Sequence, residues 1–266
     1  MSRLSGTRVL VTGGTSGLGR AMAQALAQAG ARVVVTSRHR ERAQATAAEL
    51  GAGALGVELD VRDASSVAAA LDGVYGVLDG LDVLVNNAGI GMRTVNPRFM
   101  TETQPFWEVP PAGFRDVLET KATGTFLVAR AVVPRMLSAG GGRVVTISMS
   151  EQTMIRRGFV PYGPSGAAVE ALARVMAADL ADTPVTANIL LPGGATATGM
   201  LPDQMPGELR ANLLDAAIMG PPVVWLASAD GAGVHDERIV ARDFDAWLQA
   251  REKNDPHKAS RGRDGR

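Results

Sequence analysis

The chain has no cysteine, which excludes disulfides, thiolate catalysis and zinc–thiolate sites and fits a reducing compartment. Its three histidines are widely spaced, so a histidine-based metal site is not expected. It also lacks an excess of either charge: Lys+Arg and Asp+Glu number 27 each, and no global field draws it to nucleic acid or to anionic lipid. No apolar run reaches the ~20 residues needed to span a bilayer. No basic segment followed by a long apolar stretch opens the sequence, so no secretory signal is expected. These absences point to a soluble, cytoplasmic protein whose function is local and whose partner is a small molecule.

What remains is 266 residues, 46% of them hydrophobic, enough for one large domain with a well-buried core. Short runs rich in Val, Ile and Leu alternate with Ala-rich segments of helical period. This is the pattern of βαβ units whose strands are buried on both faces. Strands are predicted at Arg8 to Thr12, Arg32 to Thr36, Leu55 to Asp60, Asp82 to Asn86, Arg143 to Ser148, Thr186 to Leu191 and Arg238 to Ala241. Helices are predicted at Leu18 to Ala29, Arg40 to Leu50, Ser65 to Leu78, Ala112 to Leu137, Gly166 to Ala181 and Gly207 to Ala217. The predicted fold is a Rossmann-type α/β domain, a doubly wound parallel sheet of seven strands with its ligand site at their carboxyl ends. The domain covers residues 1–252 and includes a long loop, 90–111, read as an active-site wall or lid. Residues 253–266 are polar and rich in Arg, Asp and Gly, the composition of a disordered tail.

The chemistry begins after the first strand, with Thr12-Gly13-Gly14-Thr15-Ser16-Gly17-Leu18-Gly19 running into a helix. Glycine lets the backbone approach a pyrophosphate, and a helix N-terminus presents unpaired N–H groups and a favourable dipole. The fourth predicted strand ends in Asn86-Asn87-Ala88-Gly89, the third in Asp60-Val61, and the sixth leads into Pro192-Gly193-Gly194-Ala195-Thr196-Ala197-Thr198. Taken along the chain, from about Leu4 to about Ala241, these four motifs resemble the short-chain dehydrogenase/reductase family. The resemblance implies that Gly13, Thr15, Ser16, Gly17, Leu18 and Gly19 cradle the pyrophosphate of a nicotinamide dinucleotide. Asp60 and Val61 would lie around its adenine, Asn87, Ala88 and Gly89 would line its groove, and Pro192, Gly193 and Thr198 would meet its nicotinamide end. At the end of the second strand stands Arg38. An acidic residue there would take a ribose 2′-hydroxyl, whereas arginine suits a 2′-phosphate, so NADP(H) is favoured over NAD(H). The other reading of Arg38 is a solvated charge opening a polar helix.

The family's catalytic group is where the sequence departs. The resemblance assigns the acid–base role and a cofactor contact to Tyr162, but the lysine expected four residues later is Gly166. The serine expected thirteen residues before the tyrosine falls on Met149, between Ser148 and Ser150. Ser150 is preferred as the group that holds the substrate oxygen, with Ser148 pointing the same way along the strand exit. Where the family carries an asparagine in the preceding long helix, the chain has Lys121. Lys121 is therefore a candidate third catalytic residue, reaching into the space that Gly166 leaves and restoring a cation near Tyr162; the alternative is a lysine turned to solvent or to a neighbouring subunit. Met92, Arg93, Phe99, Phe106 and Trp107 in the long loop, with Met154, Arg156, Arg157 and Phe159, suggest an apolar pocket with arginines at its mouth. Two functions follow as expectations. One is an NADP(H)-dependent oxidoreductase interconverting an alcohol and a carbonyl by hydride transfer. The other is a catalytically impaired relative that binds the dinucleotide as a sensor or as the partner of an active homologue. The resemblance also implies a homodimer or homotetramer.

Overall fold

The computed structural model describes residues 3–254 except Ala52, Asp203, Gln204 and Pro206. Seven strands, β1 (Arg8–Val11), β2 (Arg32–Ser37), β3 (Leu55–Glu58), β4 (Val83–Asn86), β5 (Gly142–Ile147), β6 (Val185–Leu191) and β7 (Arg238–Val240), form one sheet in the order β3-β2-β1-β4-β5-β6-β7. All six neighbouring pairs are parallel, with Val9 opposite both Val33 of β2 and Val83 of β4. The predicted single-domain α/β fold is the observed one.

Alternation along the strands divides the core into two layers. Val9 and Val11 of β1, with Val33, Val35, Val83 and Val85, pack against Met22 and Leu26 of α1 (Gly17–Gln28). Leu10, Val34, Leu84 and Val144 face the other way. They meet Val67, Leu71 and Val74 of α3 (Ala64–Leu78) and Leu180 of α7 (Tyr162–Leu180). α2 (Arg40–Leu50) follows β2 in the chain and adds Ala47 to the first layer.

The long helix predicted at Ala112 to Leu137 is three pieces in one path. It comprises α4 (Pro111–Leu118), a π turn at Glu119–Thr123 and α5 (Gly124–Ser138). A short α6 (Glu151–Met154) precedes α7 and was not predicted. The helix expected at Gly207 to Ala217 is only α8 (Gly207–Ala211). The chain then builds two unforeseen helices, α9 (Gly220–Ala227) and α10 (Phe244–Asn254), whose Trp225, Phe244 and Trp247 form an aromatic cluster under the first layer. Lys253 and Asn254, expected in the tail, complete α10 instead; residues 255–266 lie outside the described residues. No described helix is long and apolar enough to cross a membrane.

β1 has β2 on one side and β4 on the other, so the connections diverge at β1 and β4 and leave a crevice at their carboxyl ends. Glycines Gly13 to Gly19 follow β1 and Asn87 to Gly89 follow β4.

Candidate active site

One hydroxyl clips the two turns of this crevice together. Thr12 Oγ1 accepts the backbone N–H groups of Asn87 at 3.0 Å and Ala88 at 3.1 Å, while Asn87 Nδ2 donates to Thr12 O at 2.9 Å and Gly13 O at 3.2 Å. Backbone crowding explains the glycines. A Cβ on Gly19 would stand 2.3 Å from Asn87 Nδ2 and 2.4 Å from Gly13 O, and one on Gly13, whose φ is +62°, would meet Ala88 Cα at 2.9 Å. Ser16 is the N-cap of α1 but makes no side-chain cap bond, and Arg20 N is bonded back to Ser16 O. The helix-terminal amides are thus left for a ligand, as phosphate binding requires. Thr198 stands across this turn, its Cβ and Cγ2 at 3.2 Å from where a Gly17 Cβ would lie.

Where the resemblance would place the adenosine, Arg38 is exposed, with no hydrogen bond or ion pair among the described residues, and its charge is felt at Asp60. Asp60 is not free. Its carboxylate accepts from Arg62 N, Nε and Nη2, and these bonds hold it below the usual carboxylate range. Val61 is buried against Gly124. Where the resemblance would place the nicotinamide, Gly193 takes φ +92° and Pro192 O accepts from Arg242 N, turning the chain off β6 toward Thr198.

Tyr162 opens α7 with its side chain half-buried, and burial pushes its phenol up. Lys121 comes from the π turn and is only 8% exposed. Its Nζ lies 4.9 Å from the centroid of the Tyr162 ring, while its stem runs along Gly89, whose added Cβ would meet Lys121 Cγ at 3.1 Å. The ammonium has no hydrogen-bond or ion-pair partner among the described residues. Loss of water on burial pulls it from 10.5 down to about 8. A cation over an aromatic face contributes ~2 kcal/mol when desolvated, and a phenolate would be held more tightly than a phenol.

Two expectations at this centre need correction. Lys121 does not enter the space at Gly166. Met149 fills it, since a Cβ on Gly166 would stand 2.5 Å from Met149 Cε and 2.6 Å from its Sδ. Lys121 approaches the tyrosine over its ring instead. Nor does Ser150 present a free hydroxyl: it caps α6, sharing a 2.8 Å bond with the Thr153 hydroxyl and accepting Thr153 N at 3.3 Å. Ser148 is drawn elsewhere too, donating to Glu170 Oε2 at 2.6 Å. Glu170 in turn pairs with Arg238, whose Nη2 donates to Met149 O at 3.1 Å. This network, which the sequence did not reveal, fixes the strand exit so that Met149 faces α7.

The loops above the crevice interlock. Arg93 Nη1 donates to Gly199 O and Leu201 O, Phe99 meets Phe159 edge-on at 5.6 Å, and Arg156 stacks over Phe159 at 4.4 Å. Of the arginines expected at a pocket mouth, Arg93 and Arg156 are thus engaged with the loops themselves, and Arg157 is exposed. A separate groove of about 1060 Å³ between α1, α9 and α10 shares no residue with this site.

The family model for short chain dehydrogenase matches residues 7–208. The chain belongs to the short-chain dehydrogenase family. It is 32% identical over 241 residues to the 3-oxoacyl-[acyl-carrier-protein] reductase of Escherichia coli (strain K12), covering 88% of this chain and 95% of that protein. Among solved structures it superposes on a 3-ketoacyl-(acyl-carrier-protein) reductase from Brucella melitensis complexed with NADH. The TM-score is 0.79 at 26% identity, over 89% of this chain and 97% of that one. A short chain dehydrogenase from Burkholderia cenocepacia J2315 in complex with NADP gives 0.77 at 28%, over 90% and 97%. As a short-chain dehydrogenase the chain is a nicotinamide-dinucleotide-dependent oxidoreductase, and the open α1 terminus and crowded glycines fit that cofactor.

Proposed function

We propose that this short-chain dehydrogenase uses NADP(H) to interconvert a carbonyl and a carbinol, with Tyr162 as the acid–base group and Lys121 as the cation beside it. The observation that carries this reading is the buried, unpartnered Lys121 ammonium over the Tyr162 ring. When bound, the nicotinamide supplies or takes up hydride at the substrate carbon. The Tyr162 phenol passes its proton to the substrate oxygen on reduction and takes it back on oxidation. A phenol pushed up by burial resists ionising, and the ammonium over its ring offsets that resistance while it stays protonated. Ser150 is engaged in the α6 cap, so the oxygen depends on Tyr162 and Lys121. Arg38, exposed and unpaired at the end of β2, favours a 2′-phosphate through charge-assisted hydrogen bonds; Gly13 to Gly19, Asn87 to Gly89, and Pro192, Gly193 and Thr198 would hold the remainder.

A homodimer or homotetramer fits the same reading, because Phe126 of α5 and Val175 of α7 are 47% and 57% exposed, apolar surface for a second copy to cover. The test pairs direct titration of NADPH and NADH binding with a spectrophotometric panel of carbonyl compounds, using wild type and Tyr162→Phe. Tighter binding of NADPH, with turnover that falls by about 100-fold or more in the variant, is expected. Dinucleotide binding without turnover of any carbonyl would overturn the catalytic assignment.

A further inference from the structure

We infer that the substrate is an oxo acid or hydroxy acid, whose carboxylate lies beside the reacting carbon and is read by Lys121. This rests on the reading above and adds the substrate class. Buried charges in proteins are paired or bound to a counter-ion, because stripping water from an isolated ammonium is costly. Lys121 breaks that rule. It is more than nine-tenths buried, it points over Tyr162 beside Gly89, and no carboxylate, carbonyl or hydroxyl of the described residues takes its ammonium. Burial alone moves it, down to about 8, so it still carries its proton at neutral pH. An uncompensated cation beside the acid–base tyrosine is completed by an anion that arrives with the substrate.

The surroundings place that task on Lys121. On the strand-exit side the family serine's position is Met149, whose thioether closes on Gly166 and offers a substrate no hydrogen-bond donor. Three of the loop arginines are otherwise occupied, Arg93 by two backbone carbonyls, Arg98 by Glu102 and Arg156 by Phe159. The fourth, Arg157, is exposed, so that its charge is hydrated and needs no substrate anion as the buried Lys121 does. Ribose hydroxyls could accept from the ammonium, but they are neutral and leave its charge uncompensated. A carboxylate does both.

The experiment compares kcat/KM for short oxo acids with kcat/KM for their methyl esters, in wild type, Lys121→Met and Lys121→Arg. Wild type is expected to prefer the acid by about 30-fold, the order of a hydrogen bond to a charged group. Lys121→Met should erase the preference and Lys121→Arg should keep most of it. The ratio is independent of any common loss of activity. A second readout needs no turnover: calorimetric binding of oxamate to the enzyme with NADPH should be lost in Lys121→Met and retained in Lys121→Arg. An acid-to-ester ratio unchanged in Lys121→Met overturns the inference, as does a variant that raises only the KM for NADPH, which would assign the lysine to the ribose. If no carbonyl is turned over but oxamate binding still depends on Lys121, the substrate class stands and only the catalytic reading falls. If wild type binds no oxamate, the inference falls whatever the turnover.

Discussion

Replacing Lys121 by methionine should stabilise the protein without its cofactor, and by an amount that depends on pH. Methionine has nearly the lysine's length and is apolar, so it can follow the same path along Gly89 and lie over Tyr162 without a charge to desolvate. The ammonium titrates at about 8 in the folded chain against 10.5 when solvated. At 1.36 kcal/mol per pH unit this difference makes the buried cation a liability of ~3 kcal/mol at neutral pH. Because the folded value lies below the unfolded one, the unfolded chain binds more protons between about pH 8 and 10.5. Wild-type stability from this residue is therefore lowest below pH 8 and recovers as pH rises through that window. Urea denaturation of both proteins at about pH 6.5 and 9.5 reads the effect, with other titrating groups common to the two chains. Because the Tyr162 ring returns up to ~2 of those ~3 kcal/mol to the cation, Lys121→Met is expected to be more stable by ~1 to 3 kcal/mol at the lower pH, and the gap should narrow by ~1 to 2 kcal/mol at the higher. A variant less stable than wild type at the lower pH, or a gap indifferent to pH, would refute the reasoning: the ammonium would then already have a partner in the folded chain.

Restoring the family lysine at Gly166 should fail by itself. The first carbon of any side chain there lands 2.5 to 2.9 Å from Met149, so Gly166→Lys should lower stability by ~1 to 3 kcal/mol in thermal or urea melts, and adding Met149→Ser should relieve only the steric part of that loss, leaving the repulsion between the new ammonium and Lys121. In the cofactor turn, Gly19→Ala forces a methyl against Asn87 Nδ2 and Gly13 O; dinucleotide affinity, read by fluorescence titration, should fall by about 10-fold or more. Arg38→Ala should raise the KM for NADPH about 10-fold and leave that for NADH unchanged; equal changes for both would remove the 2′-phosphate contact.

The sheet was legible because its strands are Val-rich runs buried on both faces, a signal that hardly depends on neighbours. Val33 to Val35 could hardly be read otherwise, and their burial in two opposite layers is observed. The helix α9 was missed because Gly220-Pro221-Pro222 reads as a breaker, although proline in the first turn of a helix gives up only amides that have no partner there. α10 was missed because it is mostly polar and is anchored chiefly by Phe244 and Trp247, whose aromatic partner Trp225 lies elsewhere in the chain. The same distinction separates the cofactor turns from the catalytic centre. Glycine spacing by itself announces a close backbone approach, and Gly13 and Gly19 make one. Side-chain direction is another matter. Alternation sets Ser148 and Ser150 apart from Met149 but does not foresee that Ser148 and Met149 both reach α7, Ser148 by its bond to Glu170 and Met149 by packing at Gly166. Helical period does not foresee a π turn, and it is from that turn that Lys121 is carried inward.

The three departures that the resemblance implies, at Lys121, Met149 and Gly166, therefore behave as a set with two separate parts. Met149 and Gly166 depend on each other sterically, since the methionine occupies the volume that any side chain at 166 would need. Lys121 depends on neither for space, because it reaches Tyr162 along Gly89 from the other side. The charge and the packing of the site should thus be separable by mutation. Reverting Lys121 to asparagine alone should remove the cation without releasing Met149, and reverting the Met149–Gly166 pair alone should place a second ammonium in a crevice that already holds an uncompensated one. Two like charges there would lower each other's proton affinity. The lysines are then expected to be tolerated together only when an anion is bound, and bound carboxylate should raise the melting temperature of the double-lysine protein more than that of wild type.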